Sequence, residues 1–488
     1  MQNTKINRRY FMKLSGMAAV TASLAPHSMV KAEGKANRPP NILFIILDEL
    51  GYFELSCMGN AYLKTPNIDR MAAEGMRFTQ LLAGAPVCAP TRSCLMQGLH
   101  SGHTTVRGNR GGDSLCKDDV TVAEVLKKAG YATGGFGKWG LGDTGSPGVP
   151  ERHGFDTFFG YYHQVHAHTF YPSYLIRNSE KVPLAGNTDA YYEGKTFSHY
   201  LIYDETVKFI RENKDRPFFC YCPWTPPHGL WGFPKDDPAW QDYKDKPWTV
   251  GQRSKDDGKV YAAMVKMIDR QIGQLFELLK ELKLDDNTIV FVCGDNGGQA
   301  YFKSESHPNG LFSPNGGVFR GGKGNLYEGG LRIPFICRWP GKVKPGAVSE
   351  HLGYFPDIMP TLAEIAGIDL TVKTDGISIV PTLMGENVYG RKQKQHDYLY
   401  WEFGSSVAVR IGNWKAVKPK RNVPFALYDL TGDVGEQNNL ADRHPDLIAK
   451  IESIAKDAHT PVPVPTGIDK SKAYKRPPKP SRVKKDNN

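Results

Sequence analysis

Asn41-Ile42-Leu43-Phe44-Ile45-Ile46-Leu47-Asp48-Glu49 is the stretch that decides the fold. It stays apolar from Ile42 to Leu47 and then closes abruptly on two acids, as a buried central strand does. Outward from it the chain alternates strand and helix. Val120–Ala129 has helical spacing and ends at Gly130, and Tyr131–Phe136 reads as a short strand. Phe218–Tyr221 and Thr288–Cys293 read as further buried strands, with one long helix, Val260–Leu282, between them. Ile333–Trp339 reads as a strand and Asp357–Ala366 as a helix. This alternation predicts an α/β fold around a largely parallel central sheet flanked by helices. The polar clusters follow the strands directly, and open α/β sheets gather their ligand sites outside the carboxyl ends of strands.

The texture changes after Leu383. Tyr398–Phe403, Ser406–Ile411 and Trp414–Val417 are short β-like runs with turn residues between them, which predicts a smaller C-terminal subdomain with an antiparallel sheet. The expected organisation is an export signal at 1–32, a catalytic domain at 38–383, the subdomain at 384–462 and a basic Pro/Lys-rich tail at 463–488. There are no internal repeats.

The net charge of +11 sits at the two ends. Lys5, Arg8, Arg9, Lys13 and Lys31 against Glu33 leave +4 in residues 1–34, and the eight cations from Lys470 onward against Asp486 leave +7. The body is therefore near neutral and lacks the basic stripe that a nucleic-acid binder carries. Arg8-Arg9-Tyr10-Phe11-Met12-Lys13 followed by the mild apolar run Leu14–Ala25 resembles a bacterial Tat export signal, with removal near Ala32. That run is too short to span a bilayer, and no later segment is long enough. Export machinery is thus an expected partner, and the expected location is periplasmic or extracellular. Eight cysteines are too sparse for a disulfide scaffold, none has zinc-ligand spacing, and Cys220, Cys222 and Cys293 fall in apolar runs as buried free thiols do.

Cys88 stands apart. Cys88-Ala89-Pro90-Thr91-Arg92 is a C-x-P-x-R pentapeptide, and it has company along the chain. Leu47-Asp48-Glu49-Leu50-Gly51-Tyr52, Gly137-Lys138-Trp139, Pro226-Pro227-His228 and Asp295-Asn296-Gly297 follow strands. Gly322-Lys323-Gly324, Tyr327-Glu328-Gly329-Gly330 and Arg332-Ile333-Pro334 come next, then Leu427-Tyr428-Asp429-Leu430 with Glu436 and Asn439-Leu440. From about Pro39 to His444 this set resembles, in order and spacing, the type I formylglycine-dependent sulfatases of the alkaline phosphatase-like superfamily. The resemblance implies oxidation of Cys88 to Cα-formylglycine (3-oxoalanine) by a formylglycine-generating or anaerobic sulfatase-maturating enzyme. It also implies a metal held by Asp48, Glu49, Asp295 and Asn296 together with the residue made from Cys88.

The chemistry asks for such groups independently. Cleaving a sulfate ester brings a nucleophile onto a sulfur screened by negative oxygens. A sulfated cysteine would need a second displacement, whereas a hydrated aldehyde can attack with one hydroxyl and expel sulfate by re-forming its carbonyl. A cation beside that hydroxyl activates it at neutral pH. Hard oxygen ligands suit calcium, and magnesium less well. Lys138 and Lys323 are expected to clamp sulfate oxygens, Arg92 to hold residue 88 and the metal ligands, and His228 to protonate the leaving alcohol.

Two positions depart from the family pattern. Glu49 stands where aspartate is usual and still offers an oxygen. Gly140, in Gly137-Lys138-Trp139-Gly140-Leu141-Gly142, stands where the family has a histidine that helps release sulfate. His163-Gln164-Val165-His166-Ala167-His168 lies shortly downstream, and alternation in an extended segment would put His166 and His168 on one side, so that either reaches the vacated space. The alternatives are a substrate-contacting histidine or a surface loop.

His307, Arg320 and Trp401 are the candidates for recognising the leaving group, and aromatic and hydrogen-bonding groups suit a sugar. The expected substrate is a sulfated glycan, with an aryl sulfate as the simpler case. A phosphonate or phosphate diester hydrolase of the same superfamily is one rival reading. A catalytically silent glycan binder, prompted by Gly140, is the other.

Overall fold

In the computed structural model, residues 38–229, 231–248, 254–298 and 318–475 are described, all but Arg38 in the unit that begins at Pro39. The export signal, His307 and the tail beyond Lys475 lie outside the described residues. A ten-stranded sheet forms the body. Its middle is parallel: Thr288–Gly294, Asn41–Leu47, Phe218–Trp224, Ala132–Lys138 and Thr157–Tyr161 lie side by side in that order. Phe335–Arg338 adds antiparallel to Thr288–Gly294, and Tyr174–Arg177 and Glu180–Pro183 extend the opposite edge antiparallel.

The apolar run of the central strand is used on both faces. Leu43, Ile45 and Leu47 pack into one core with the helices Pro66–Glu74, Ser198–Glu212 and Asp257–Glu281. Ile42, Phe44 and Ile46 pack into the other with Cys88–Gln97, Val122–Lys128 and Ile358–Ile365. A strand buried on both faces has no polar side, which is why this run reads as continuous rather than alternating. Local signals fix the helix ends. Thr121 accepts from Glu124 N at 3.3 Å while Glu124 accepts from Thr121 N at 2.9 Å, a capping box that starts the helix Val122–Lys128. Gly130, in the left-handed region (φ +85°), follows its end.

A four-stranded antiparallel sheet, Leu399–Phe403, Ser406–Ile411, Trp414–Lys418 and Ala426–Asp429, follows. One face (Leu399, Trp401, Ala408, Val417, Tyr428) packs on Leu82, Leu326, Leu331 and Tyr354 of the main body. The other carries Tyr400, Val409 and Leu427 against the helix Pro445–Asp457. Among the described residues no helix is long and apolar enough to cross a membrane.

Candidate active site

Four of the motif segments meet at the carboxyl ends of the parallel strands. Asp48 and Glu49 follow Asn41–Leu47, Lys138 ends its own strand, Thr225–His228 follow Phe218–Trp224, and Asp295 and Asn296 follow Thr288–Gly294. Parallel register brings these ends level: Asp48 N donates to Trp224 O at 3.2 Å and Asp295 N to Leu47 O at 3.1 Å. Glu49 is a non-glycine residue in the left-handed region (φ +63°), a conformation that costs about 1–2 kcal/mol. Its N–H is held by Asp295 Oδ1 at 2.9 Å.

Cys88 enters from the opposite side as the first residue of the helix Cys88–Gln97, fully buried. Its Sγ donates to Asp48 Oδ1 at 3.1 Å. Burial, and after it the Asp48 carboxylate, pushes the thiol well above its ordinary value, so an unmodified Cys88 is a protonated, poor nucleophile. Lys138 Nζ donates to Asp48 Oδ2 at 2.6 Å. Burial pushes Asp48 up, but Lys138, His228 and Arg92 outweigh it and hold the carboxyl well below the usual range. Arg92 lies one turn into the Cys88 helix. It gives Nη2 and Nε to Asp295 Oδ2 at 3.0 and 3.3 Å and a further bond to Lys138 O. Arg92 thus ties the Cys88 helix to two strand ends.

His228 Nε2 faces Glu49 Oε1 at 2.8 Å and its Nδ1 faces Gly229 O at 3.0 Å. These two oxygens favour a proton on each ring nitrogen, whereas burial pushes the imidazole down to about 4. Lys323 also contacts Glu49, and burial lowers its ammonium to about 8.

The donor set fits a cation. Asp48, Glu49, Cys88 and His228 each place a ligand atom within 4.8 Å of the others. Asn296 Oδ1 is buried without a hydrogen-bond partner among the described residues, while Nδ2 donates to Gly297 O at 2.9 Å, so a carbonyl oxygen is left for a metal. Asp295 is differently used: its oxygens are already engaged by Glu49 N and Arg92.

Three expectations need correction. His166–His168 is a 3-10 turn and not an extended segment, so the two histidines diverge. His166 is buried, stacked on Tyr474 with centroids 4.5 Å apart, while His168 stacks on His228 at 4.3 Å. Neither takes the space over Gly140. Gln164 does, and the polar-rich segment gave no sign that its amide rather than a histidine would. Trp401 is core: fully buried, it packs on Tyr354 and donates Nε1 to Ala83 O at 2.8 Å. Arg320, expected to contact the substrate, is exposed and gives Nη1 to Glu436 O at 2.7 Å and Tyr428 OH at 3.1 Å with Tyr327 beneath it. Asn109, which sequence reasoning passed over, accepts from Ala89 N at 3.0 Å and so anchors the chain beside Cys88.

Comparison with known proteins places this geometry. The family profile described as sulfatase matches residues 40–368, and that of the N-sulphoglucosamine sulphohydrolase C-terminal region matches 318–458. Human arylsulfatase A is 31% identical over 472 residues, covering 86% of this chain and 87% of its own. An N-acetylgalactosamine-6-O-sulfatase of Bacteroides thetaiotaomicron is 27% identical, covering 92% of this chain and 98% of its own. The crystal structure of Ps i-CgsB in complex with k-i-k-neocarrahexaose superposes with a TM-score of 0.71 at 25% identity, covering 86% of this chain and 93% of that one.

Proposed function

The chain belongs to the sulfatase family and hydrolyses sulfate esters, and from that premise we propose that it is an exported enzyme that removes sulfate from carbohydrate, with its nucleophile made from Cys88. The observation that carries this reading is the setting of Cys88. A buried thiol at the start of a helix, bonded to Asp48 and pushed up in pKa, is a poor direct nucleophile, which supports a converted residue as the attacking group. When present, a hydrated Cα-formylglycine beside calcium supplies an activated hydroxyl to attack sulfur and a second one whose deprotonation expels sulfate. Asp48, Glu49, Asn296 and, through its remaining lone pairs, Asp295 would hold the cation.

Lys138 and Lys323 offer two ammonium groups on opposite sides of the acid pair, where sulfate oxygens gather charge. Arg92 keeps Asp295 and the backbone of Lys138 fixed relative to the nucleophile helix. His228 offers a ring proton to the departing alcohol, with Glu49 and the stacked His168 orienting it. The sugar substrate is supported by relatives named for N-acetylgalactosamine sulfate, and a subdomain at 384–462 by the apolar cluster that the second face of the small sheet forms with the helix Pro445–Asp457, within those residues alone.

The test is the mass of the tryptic peptide Phe78–Arg92 from a host with sulfatase-maturation machinery. Conversion of CH2SH to CHO lowers it and creates a hydrazide-reactive carbonyl. A residual thiol, in a host that converts a control sulfatase, removes the proposed nucleophile. Aryl sulfate assayed against aryl phosphate and phosphonate esters then separates sulfatase from diester hydrolase by the preferred substrate.

A further inference from the structure

Gly140 leaves no hole. Its φ is +79°, and a Cβ built on it would lie 2.6 Å from Gln164 Oε1 and 3.9 Å from the Ala89 Cβ. Backbone pairing brings Gln164 there, because Trp139 N donates to Tyr161 O at 2.8 Å and Gly140 N to Tyr162 O at 3.0 Å, two residues before Gln164.

The orientation of the amide is fixed by a chain of donors. Ala89 N can only donate, so Asn109 presents Oδ1 to it, at 3.0 Å. That same Oδ1 faces Gln164 at 3.0 Å, which makes the facing atom of Gln164 its Nε2. Oε1 is thereby turned to the Gly140 side, where it is buried and has no hydrogen-bond partner among the described residues. A buried amide oxygen left unmatched is costly, so an acceptor set against Gly140, whose other neighbour is the Ala89 side chain, is a built feature that awaits a donor.

We propose that Gln164, oriented by Asn109, is the active-site acceptor on the Gly140 side and that its donor is a hydroxyl carried by residue 88. This rests on conversion of Cys88 as proposed above. An amide oxygen does not take up a proton near neutrality, so Gln164 fixes the direction of that hydroxyl and leaves proton transfer to other groups. It is a positioning residue, and it accounts for a glycine at 140: the space belongs to the amide.

The experiment uses Gln164→Met, which keeps length and removes the acceptor, and Gln164→Glu, which keeps an oxygen. Residue 88 is first shown by peptide mass to be equally converted in both variants and wild type, and melting curves confirm folded protein. Expected on a small aryl sulfate is a fall in kcat on the order of 10-fold or more for Gln164→Met with KM little changed, and partial recovery in Gln164→Glu. A second arm needs no turnover: in a Cys88→Ala background, calorimetric affinity for the same aryl sulfate is unchanged by Gln164→Met, since no hydroxyl remains at 88. Unchanged kcat in converted Gln164→Met overturns the proposal. So does weakened binding in the Cys88→Ala background, or a loss confined to KM for sulfated sugars, either of which makes the substrate the donor. A wild type that keeps its thiol brings down the functional reading itself, an outcome distinct from those.

Discussion

Lys415 Nζ lies 2.9 Å from Glu328 Oε1 and 3.0 Å from Glu436 Oε1, all three side chains fully buried. Lys415 belongs to the small antiparallel sheet and Glu328 to the segment that follows Lys323, so this triad joins the small sheet to a lysine of the site. Glu436 Oε2 also accepts from Glu328 N.

Breaking the triad is expected to cost far more than an exposed ion pair. Lys415→Met takes from buried Glu436 its ion-pair partner and leaves Glu328 to Arg332 and Arg410, a loss of about 3–5 kcal/mol in urea unfolding. Burial pushes Glu328 up, but Lys415, Arg332 and Arg410 outweigh it and hold the carboxyl below the usual range. Stability from Glu328 is therefore complete above about pH 4.3, where an unfolded glutamate ionises, and is lost as pH falls through the lower folded value. The melting gap between wild type and Glu328→Gln should stay constant from neutrality into mild acid and narrow only below that point. A gap that widens in acid would falsify this assignment.

Chelating the proposed calcium should abolish sulfate release and lower the melting temperature of the folded protein. A cation at about 100 times its Kd stabilises by about 2.7 kcal/mol. Asn296→Ala, which removes a carbonyl oxygen with no competing partner, should raise the calcium concentration needed for half of that melting shift. Equal titrations of variant and wild type would exclude Asn296 as a ligand.

The two lysines should separate when truncated. Lys138→Ala strips a fully buried Asp48 of its closest cation and is expected to lower both stability and kcat. Lys323, whose side chain is 20% exposed, should show mainly the kinetic loss, on the order of 10²-fold for a donor to transition-state charge. Paired unfolding curves and kcat values decide it, and equal destabilisation by both would refute the distinction.

Trp401→Phe should leave KM for any hydrolysed sulfated sugar unchanged. It takes away the indole bond to Ala83 O, stranding a buried carbonyl at a cost of about 1–3 kcal/mol. A raised KM with unchanged stability would return Trp401 to the substrate side.

Much of the fold was legible because the burial pattern was. Asn41–Leu47, Phe218–Trp224 and Thr288–Gly294 announce themselves as strands apolar on both faces, and the acids and amides that end them mark the site edge. The short strands Thr157–Tyr161 and Tyr174–Arg177 did not, because edge and near-edge strands carry mixed side chains and lean on their neighbours for definition. Among site residues, Cys88, Asp48, Lys138, His228 and Lys323 were found by motif, and the structure brings them together. Gln164 and Asn109 were not, since an amide has no spacing signature and its role depends on which way a distant backbone N–H points.

The sequence by itself determined the parallel α/β core and the residue types of the site, because hydrophobic burial and strand-end polarity are written locally. Only the tertiary structure decided that Trp401 lies in the core, that Arg320 bonds Glu436 and Tyr428, that His166 and His168 part company, and that an amide fills the place over Gly140. Those outcomes turn on side-chain directions set by contacts between segments far apart in the chain, and no local pattern encodes them.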